Sequence, residues 1–418
     1  MRDHLDFQQQ TLPNGITLYT YRDAFPICCM ELQLPIGFAH SNPTNGFLPG
    51  SAHFLEHTQL IRSRDFPEAY TSDRALGLKG GNSNAATQLT KTTHWIDTPL
   101  GEQYFGSHLL VDRVFHSLFN ESDLATERSV VSNERNQNPF YPGKARTSQY
   151  YFTQFISDVY CPLEQVFGSD RDLNLLDASA LKAMHTQVTT SEGIIALAVG
   201  DDDFAQLASE LSELPIVPTS FTTHTKPTTW AHQGYQEAQF DTVSQPRLEL
   251  AWIHDRPSYE EYLGICFLIT MLINSTQGPL YREFREEKGW TYGLEGMCSL
   301  REHNLLMGLS FPVNERSQVA YIRTHIHDLI TQAVHNQQLI EDELRRQLAL
   351  QVYSYQTAGS IISAASNSLV SHGKIYTEQE YREGLEKLRD STWREHLLTT
   401  FFKPEDMGEL CLLPEEKS

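Results

Sequence analysis

The sequence predicts an α+β protein of two similar domains, each a mostly antiparallel sheet packed against helices, and three observations lead there. A chain of 418 residues is too long for one ordinary core and suits two domains of roughly 200 residues each. Residues 215–234 carry Pro215, Pro218, Pro227 and a run of threonines with little apolar periodicity, the composition of a linker. On either side of that stretch the order of strand-like and helix-like patterns recurs, without residue-level identity between the halves. The expected domains are residues 1–217 and 218–418.

In the first half, residues 16–21 and 28–36 alternate like strands, and residues 52–60 read as a helix. Helical patterns follow at 101–119, 122–136 and roughly 144–158, the last two separated by the turn Asn138-Pro139-Phe140-Tyr141-Pro142-Gly143. Residues 193–200 form a short apolar run bounded by Gly193 and Gly200, which suits a central strand, and Asp201, Asp202 and Asp203 cap a following helix. Beyond the linker the expected elements are a strand at 247–253, a helix at 259–272, and a helix opened by Pro279 and closed by a left-handed Gly289. Strands at 290–300 and 304–311, helices at 315–335 and 341–372, and a last strand at 408–413 complete the second half.

The chemistry is concentrated in His53-Phe54-Leu55-Glu56-His57. If this run is helical, His53 and His57 stand one turn apart on one face, where two imidazoles can grip one metal ion. Glu56 projects beside them, and a carboxylate three residues after the first histidine can take a proton from a metal-activated water without being a ligand itself. The metal needs a third protein ligand. Glu134 lies 77 residues beyond His57, and Glu127 lies seven residues before Glu134, two helical turns back on the same face.

This layout resembles the pitrilysin and insulin-degrading enzyme family of metallopeptidases, the M16 family, which includes the mitochondrial processing peptidases. The resemblance implies that Glu134 completes a zinc site with His53 and His57, one ion per chain, and that Glu127 supports the site from behind a ligand. Gly81-Asn82-Ser83-Asn84-Ala85-Ala86-Thr87, followed by Thr92-Thr93-His94-Trp95-Ile96-Asp97, resembles the family's glycine-rich turn and N-A-x-T strand. Such an edge strand around Asn84 and Ala85 can hold an extended peptide by main-chain hydrogen bonds that ignore side-chain identity. Leu280-Tyr281-Arg282-Glu283-Phe284-Arg285-Glu286-Glu287-Lys288-Gly289-Trp290-Thr291-Tyr292 resembles the family segment whose arginine and tyrosine reach the scissile peptide, here Arg285 and Tyr292. The opening Leu12-Pro13-Asn14-Gly15-Ile16-Thr17-Leu18 also fits, so the resemblance spans nearly the whole chain. Residues 58–62 and Trp95 depart from the family pattern, beside the ligand positions rather than at them.

With 40% hydrophobic and 20% charged residues the composition is that of an ordinary globular protein. A net charge of −21 argues against nucleic acid as the main partner. Met1-Arg2-Asp3-His4-Leu5-Asp6-Phe7-Gln8 has no apolar core of a signal peptide and no long apolar span occurs, so the expectation is a cytoplasmic protein without a membrane partner. The six cysteines, at 28, 29, 161, 266, 298 and 411, include no C-x-x-C spacing; Cys28 and Cys29 should face opposite sides of a strand, and buried free thiols are the expectation.

The resemblance thus implies a zinc endopeptidase acting on short or unfolded peptides inside a closed chamber. Long members of the family enclose that chamber with four such domains in one chain, whereas this sequence has two. Two chains would be needed, and a symmetric homodimer in which Arg285 and Tyr292 serve the partner's zinc is the simplest arrangement; a heterodimer is the other. The contrasting reading is a non-catalytic subunit that acts as scaffold or peptide-binding partner of an active paralogue.

Overall fold

Alternation along one strand sets up the first domain: Cys28, Met30, Leu32 and Leu34 point into one core, while Cys29 points into another on the opposite face. The computed structural model describes residues 6–415 except 43, 138–156, 159–165, 224–227, 241–242 and 275–276. It divides into two units, Met1–Gln137 with Pro162–His224 and Val352–Tyr376, and Asn138–Cys161 with Thr225–Gln351 and Thr377–Ser418. A change-over near residue 217 separates the two larger sheets, while the units themselves interleave: Val352–Tyr376 belongs to the first and Asn138–Cys161 to the second.

The strands are β1 (Gln8–Thr11), β2 (Thr17–Arg22), β3 (Ile27–Leu34), β4 (Asn82–Thr87), β5 (Thr92–Pro99), β6 (Ser157–Asp158), β7 (Ile195–Gly200), β8 (Thr229–Trp230), β9 (Gly234–Phe240), β10 (Arg247–Asp255), β11 (Glu295–Leu300), β12 (Asn304–Pro312) and β13 (Met407–Pro414). The first sheet has the order β1-β2-β7-β3-β5-β4 and the second β11-β12-β10-β13-β9. Within each, one pair is parallel, β2 with β7 and β9 with β13, and the others are antiparallel. Apart from β1, both sheets repeat one topology: the first, last, second, fourth and third strands of the sheet in chain order lie side by side in that order. The halves share a fold, as the recurring order of patterns led one to expect, without residue-level identity.

In the first unit, α1 (Ser51–Gln59), α2 (Thr71–Leu78), α3 (Gln103–Phe115), α4 (Glu121–Gln137), α5 (Asp170–Leu175), α6 (Ala178–Thr189) and α7 (Ala205–Ser212) are joined by a later helix from Val352–Tyr376. α1, α3, α6 and α7 pack their apolar residues on one face of the sheet. In the second unit, α8 (Tyr259–Ile273), α9 (Arg316–His335) and α10 (Gln337–Leu350) cover β10 and β12. The expected helix 341–372 is in fact two. Thr357 Oγ1 caps the second of them, α11 (Ala358–His372), by accepting from Ser360 N at 3.0 Å. α11 covers the opposite face of the first sheet, where Ser366 Oγ donates to the buried Glu31 carboxylate at 2.5 Å. That sheet is thus covered on both faces. α12 (Glu378–Glu386) and α13 (Ser391–Phe401) complete the second unit.

The expected helix near 144–158 lies largely outside the described residues, and its last two residues form β6. β9 falls at the end of the stretch read as linker and beyond it. Cys28, Cys29 and Cys411 are buried thiols as expected, Cys266 and Cys298 are only partly buried, and Cys161 lies outside the described residues.

Candidate metal centre

α1 begins at a close crossing of backbone. Gly50, its N-cap, has φ of +79°, and a Cβ there would lie 2.6 Å from the carbonyl of Phe167. Gly168 meets Pro49 just as closely, with φ of +63°. The crossing sets the Phe167 ring edge-on to His53, with centroids 5.3 Å apart. Arg135 of α4 holds the same segment by donating to Gly168 O at 2.8 Å and to Asp170 Oδ1 at 2.7 Å. Arg62, just past α1, donates to Asp123 Oδ2 at the start of α4 at 2.6 Å. Helices whose key residues lie far apart in sequence are thereby locked together.

The consequence is a triangle of donor atoms. His53 Nε2 and His57 Nε2 are 3.2 Å apart, and Glu134 Oε2 lies 3.6 Å from the first and 3.4 Å from the second. Ligands about 2.0–2.1 Å from a tetrahedral zinc keep roughly 3.3 Å from one another, so these three residues fit such an ion. Among the described residues they are the one group of this kind. His53 and His57 are enclosed, and Glu134 is exposed.

The charges are arranged unequally. Burial and the neighbouring His57 push His53 down to about 4, so its imidazole is neutral and suited to bind a metal. Burial opposes the charged form of His57 too, but the Glu127 and Glu134 carboxylates outweigh it and raise that group to about 9. The hydrogen bond with His57 holds Glu134 below its usual range despite partial burial. Glu127 Oε2 lies 3.1 Å from His57 Nδ1, and Tyr70 OH donates to Glu127 Oε1 at 3.0 Å. A carboxylate behind an imidazole fixes the ring and its tautomer, which leaves Nε2 directed at the other two donors. The support is one-sided, because His53 Nδ1 finds no partner among the described residues.

Glu56 is buried beside the histidines and accepts from Thr87 Oγ1 at 2.6 Å. Burial raises its carboxyl above the usual range, against the opposing pull of Thr87 and His57. Thr87 ends β4, which is the edge of the first sheet, as expected of the Asn84–Ala85 strand. Asn84 is exposed, and its Oδ1 accepts from Ala85 N at 2.9 Å.

Arg285 and Tyr292 belong to the second unit. The segment opens at Pro279 and closes at Gly289 with φ of +64°, as expected, but residues Arg282–Glu287 form a π turn rather than an α helix. The Arg285 guanidinium sits over the Tyr292 ring, 4.3 Å from its centroid, and Tyr292 is 84% exposed. The expected strand starts only at Glu295, because the Thr291 hydroxyl accepts from Gly293 N at 3.2 Å and donates to Gly293 O at 2.7 Å, folding a turn.

Sequence reasoning passed over Tyr70, Thr87 and Phe167. Thr87 stood within the quoted N-A-x-T pattern, whereas Tyr70, in a left-handed conformation with φ of 59°, offered no signal.

The family profile described as insulinase (peptidase family M16) matches residues 23–161, and the one described as peptidase M16 inactive domain matches residues 176–347. The chain belongs to peptidase family M16. Protease 3 of Escherichia coli (strain K12) is 25% identical to it over 134 residues, which are 32% of this chain and 14% of that protein. The chain thus matches about one seventh of that relative's own length. The structure of a protease from Helicobacter pylori is similar with a TM-score of 0.77 and 16% identity, covering 98% of this chain and 99% of that one. A peptidase M16 inactive domain from Pseudomonas fluorescens matches with a TM-score of 0.74 and 14% identity, covering 99% of each chain. At such identities these structures establish a common M16 fold. Among the described residues no helix is long and apolar enough to cross a membrane.

Proposed function

We propose that this M16 chain is a zinc-dependent endopeptidase of short or unfolded peptides, with His53, His57 and Glu134 holding one zinc per chain. The observation that carries the reading is the triangle of donor atoms with edges of 3.2, 3.4 and 3.6 Å, with the buried Glu56 next to it. When bound, zinc supplies Lewis acidity that makes water a usable nucleophile near neutral pH and polarises the scissile carbonyl.

The chain's own residues do the rest. Thr87 orients the Glu56 carboxylate, which takes the proton of the attacking water. Glu56 then delivers that proton to the nitrogen of the leaving amine. The free edge of β4 aligns the peptide in extended form; to use Ala85 N–H the peptide displaces the Asn84 side chain that now bonds it. Arg285 anchors the substrate, and the Tyr292 phenol donates to the oxygen that gains charge in the transition state.

In this reading the working form is a homodimer whose closed chamber excludes folded proteins, and Arg285 and Tyr292 serve the partner's site. A heterodimer with a related chain provides the same two sets of residues.

The test is hydrolysis of a quenched fluorescent peptide library. Cleavage that is abolished by chelation, restored by zinc and absent in Glu56→Gln supports the reading; cleavage unaffected by chelation refutes it. A second reading, a non-catalytic scaffold or peptide-binding subunit, draws on the likeness of residues 176–347 to M16 inactive domains. The complete set of His53, Glu56, His57 and Glu134 favours the peptidase.

A further inference from the structure

The seam between α1 and β4 has a counterpart in the second unit. β11 is the outer strand of its sheet, as β4 is of the first, and α8 follows β10 as α1 follows β3. The first seam is joined by Glu56 and Thr87. At the second, Cys266 on α8 and Cys298 on β11 bring their sulfurs to 2.9 Å.

This approach is built into the packing. Gly296 lies two residues before Cys298 on the same face of β11, and a Cβ there would lie 2.6 Å from Ile269 Cγ2 and 2.7 Å from Ile273 Cδ1. Ile269 and Ile273 stand three and seven residues beyond Cys266, on the same face of α8. The bare backbone at Gly296 lets the helix settle on the strand, and the register then sets sulfur opposite sulfur. A formed disulfide has an S–S length of about 2.05 Å, so closing the bond takes a shift of about 0.9 Å. Both cysteines are only partly buried; the hydrogen bond with Cys266 and burial hold the Cys298 thiol well above its usual range, so the first attack falls to Cys266.

We propose that Cys266 and Cys298 are a modification site, a dithiol that a low-molecular-weight disulfide of the glutathione class converts to an intramolecular disulfide. One thiol loses its proton and attacks a sulfur of the oxidant; the oxidant's S–S bond breaks, and one small thiol leaves with that proton. The second protein sulfur, losing its own proton, displaces the other half of the oxidant from the mixed disulfide. The Sγ–Sγ bond forms, two electrons pass from the protein to the oxidant, and two small thiols are released. The bond closes the loop between residues 266 and 298, which contains Arg285 and Tyr292, and β11 starts three residues after Tyr292. Oxidation therefore stiffens the segment that carries this pair, whatever the metal centre does.

The experiment treats the whole protein with oxidised glutathione, blocks remaining thiols with iodoacetamide and maps it without reduction by mass spectrometry. The expected result is a peptide pair linking Cys266 to Cys298 that disappears with dithiothreitol, and a rise in melting temperature of about 5 °C on oxidation. In Cys298→Ser the link is replaced by a glutathione adduct on Cys266, and the melting temperature does not rise. Recovery of both cysteines alkylated, or each carrying glutathione, in folded wild-type protein overturns the proposal. The wild-type mapping decides this alone, so a variant that fails to fold does not affect the outcome.

Discussion

Thr87 Oγ1 donates to Glu56 Oε2 at 2.6 Å, so the last residue of an edge strand fixes the orientation of the carboxylate between two histidines. Thr92 lies behind this contact, with its hydroxyl donating to Ile36 O at 2.8 Å and sitting 3.3 Å from Thr87 Oγ1. The Thr92 proton is committed to Ile36, which leaves the Thr87 proton for Glu56. A hydrogen bond to a charged group contributes about 1.5–3 kcal/mol. Thr87→Val should therefore lower kcat by roughly 10–100-fold, with KM nearly unchanged and zinc retained, while Thr87→Ser keeps most activity. Equal loss in the serine and valine variants would mean that the methyl packing, not the hydroxyl, matters.

The Glu127–His57 contact leads to a prediction about metal affinity. Removing a group that braces a ligand imidazole typically weakens metal binding by about 10–100-fold. Glu127→Gln should do so, and Tyr70→Phe, one step further out, should weaken zinc binding less. Competition with a chromogenic chelator measures both, and unchanged affinity in Glu127→Gln would exclude a supporting role.

Glu249 makes the second unit pH-sensitive. Burial pushes its carboxyl up to about 7, although Arg247 pulls the other way, from an ordinary value of 4.5. The folded state holds this proton more tightly than the unfolded state does, so the contribution is fully present below about 4.5 and is lost as pH rises through about 7. Glu249→Gln removes the titration. The melting temperature of the variant minus that of wild type should increase from about pH 5 to about pH 8. A difference that stays level would contradict the shift.

Gly50→Ala tests the backbone crossing at the start of α1. The new Cβ meets the Phe167 carbonyl at 2.6 Å in a conformation with positive φ, which should cost about 2 kcal/mol or more. The expected outcome is a lower melting temperature together with weaker zinc binding. Full stability with full zinc content would show that the crossing can relax.

Sharing of sites between chains is open to complementation. An Arg285→Ala, Tyr292→Ala double variant and a Glu56→Gln variant should each be inactive. After subunit exchange the mixture should recover about one quarter of wild-type activity, since half the dimers then hold one complete site. Proven mixed dimers that stay inactive would rule out sites built from both chains.

Part of the candidate site was legible because His53, Glu56 and His57 obey helical spacing on α1, while Glu127 and Glu134 on α4 were indicated by the family resemblance. The edge strand around Asn84 and Ala85 followed from the family resemblance and is β4. What was hidden depends on tertiary partners. Tyr70 reaches Glu127 only through a left-handed backbone turn, and Phe167 is placed by two glycines that cross far apart in sequence. β9, Gly-Tyr-Gln-Glu-Ala-Gln-Phe, lies at the sheet's edge with alternate residues exposed and few apolar side chains, so beyond the linker it carries no clear strand pattern. The 341–372 pattern concealed a break because α10 and α11 are both amphipathic and serve different cores.

The most direct test of the central claim is to measure zinc per chain and peptide cleavage together in wild type and Glu56→Gln. The account predicts about one zinc per chain in both proteins and cleavage by wild type alone. A wild-type protein that binds no zinc, or a Glu56→Gln protein that cleaves as fast as wild type, would contradict it.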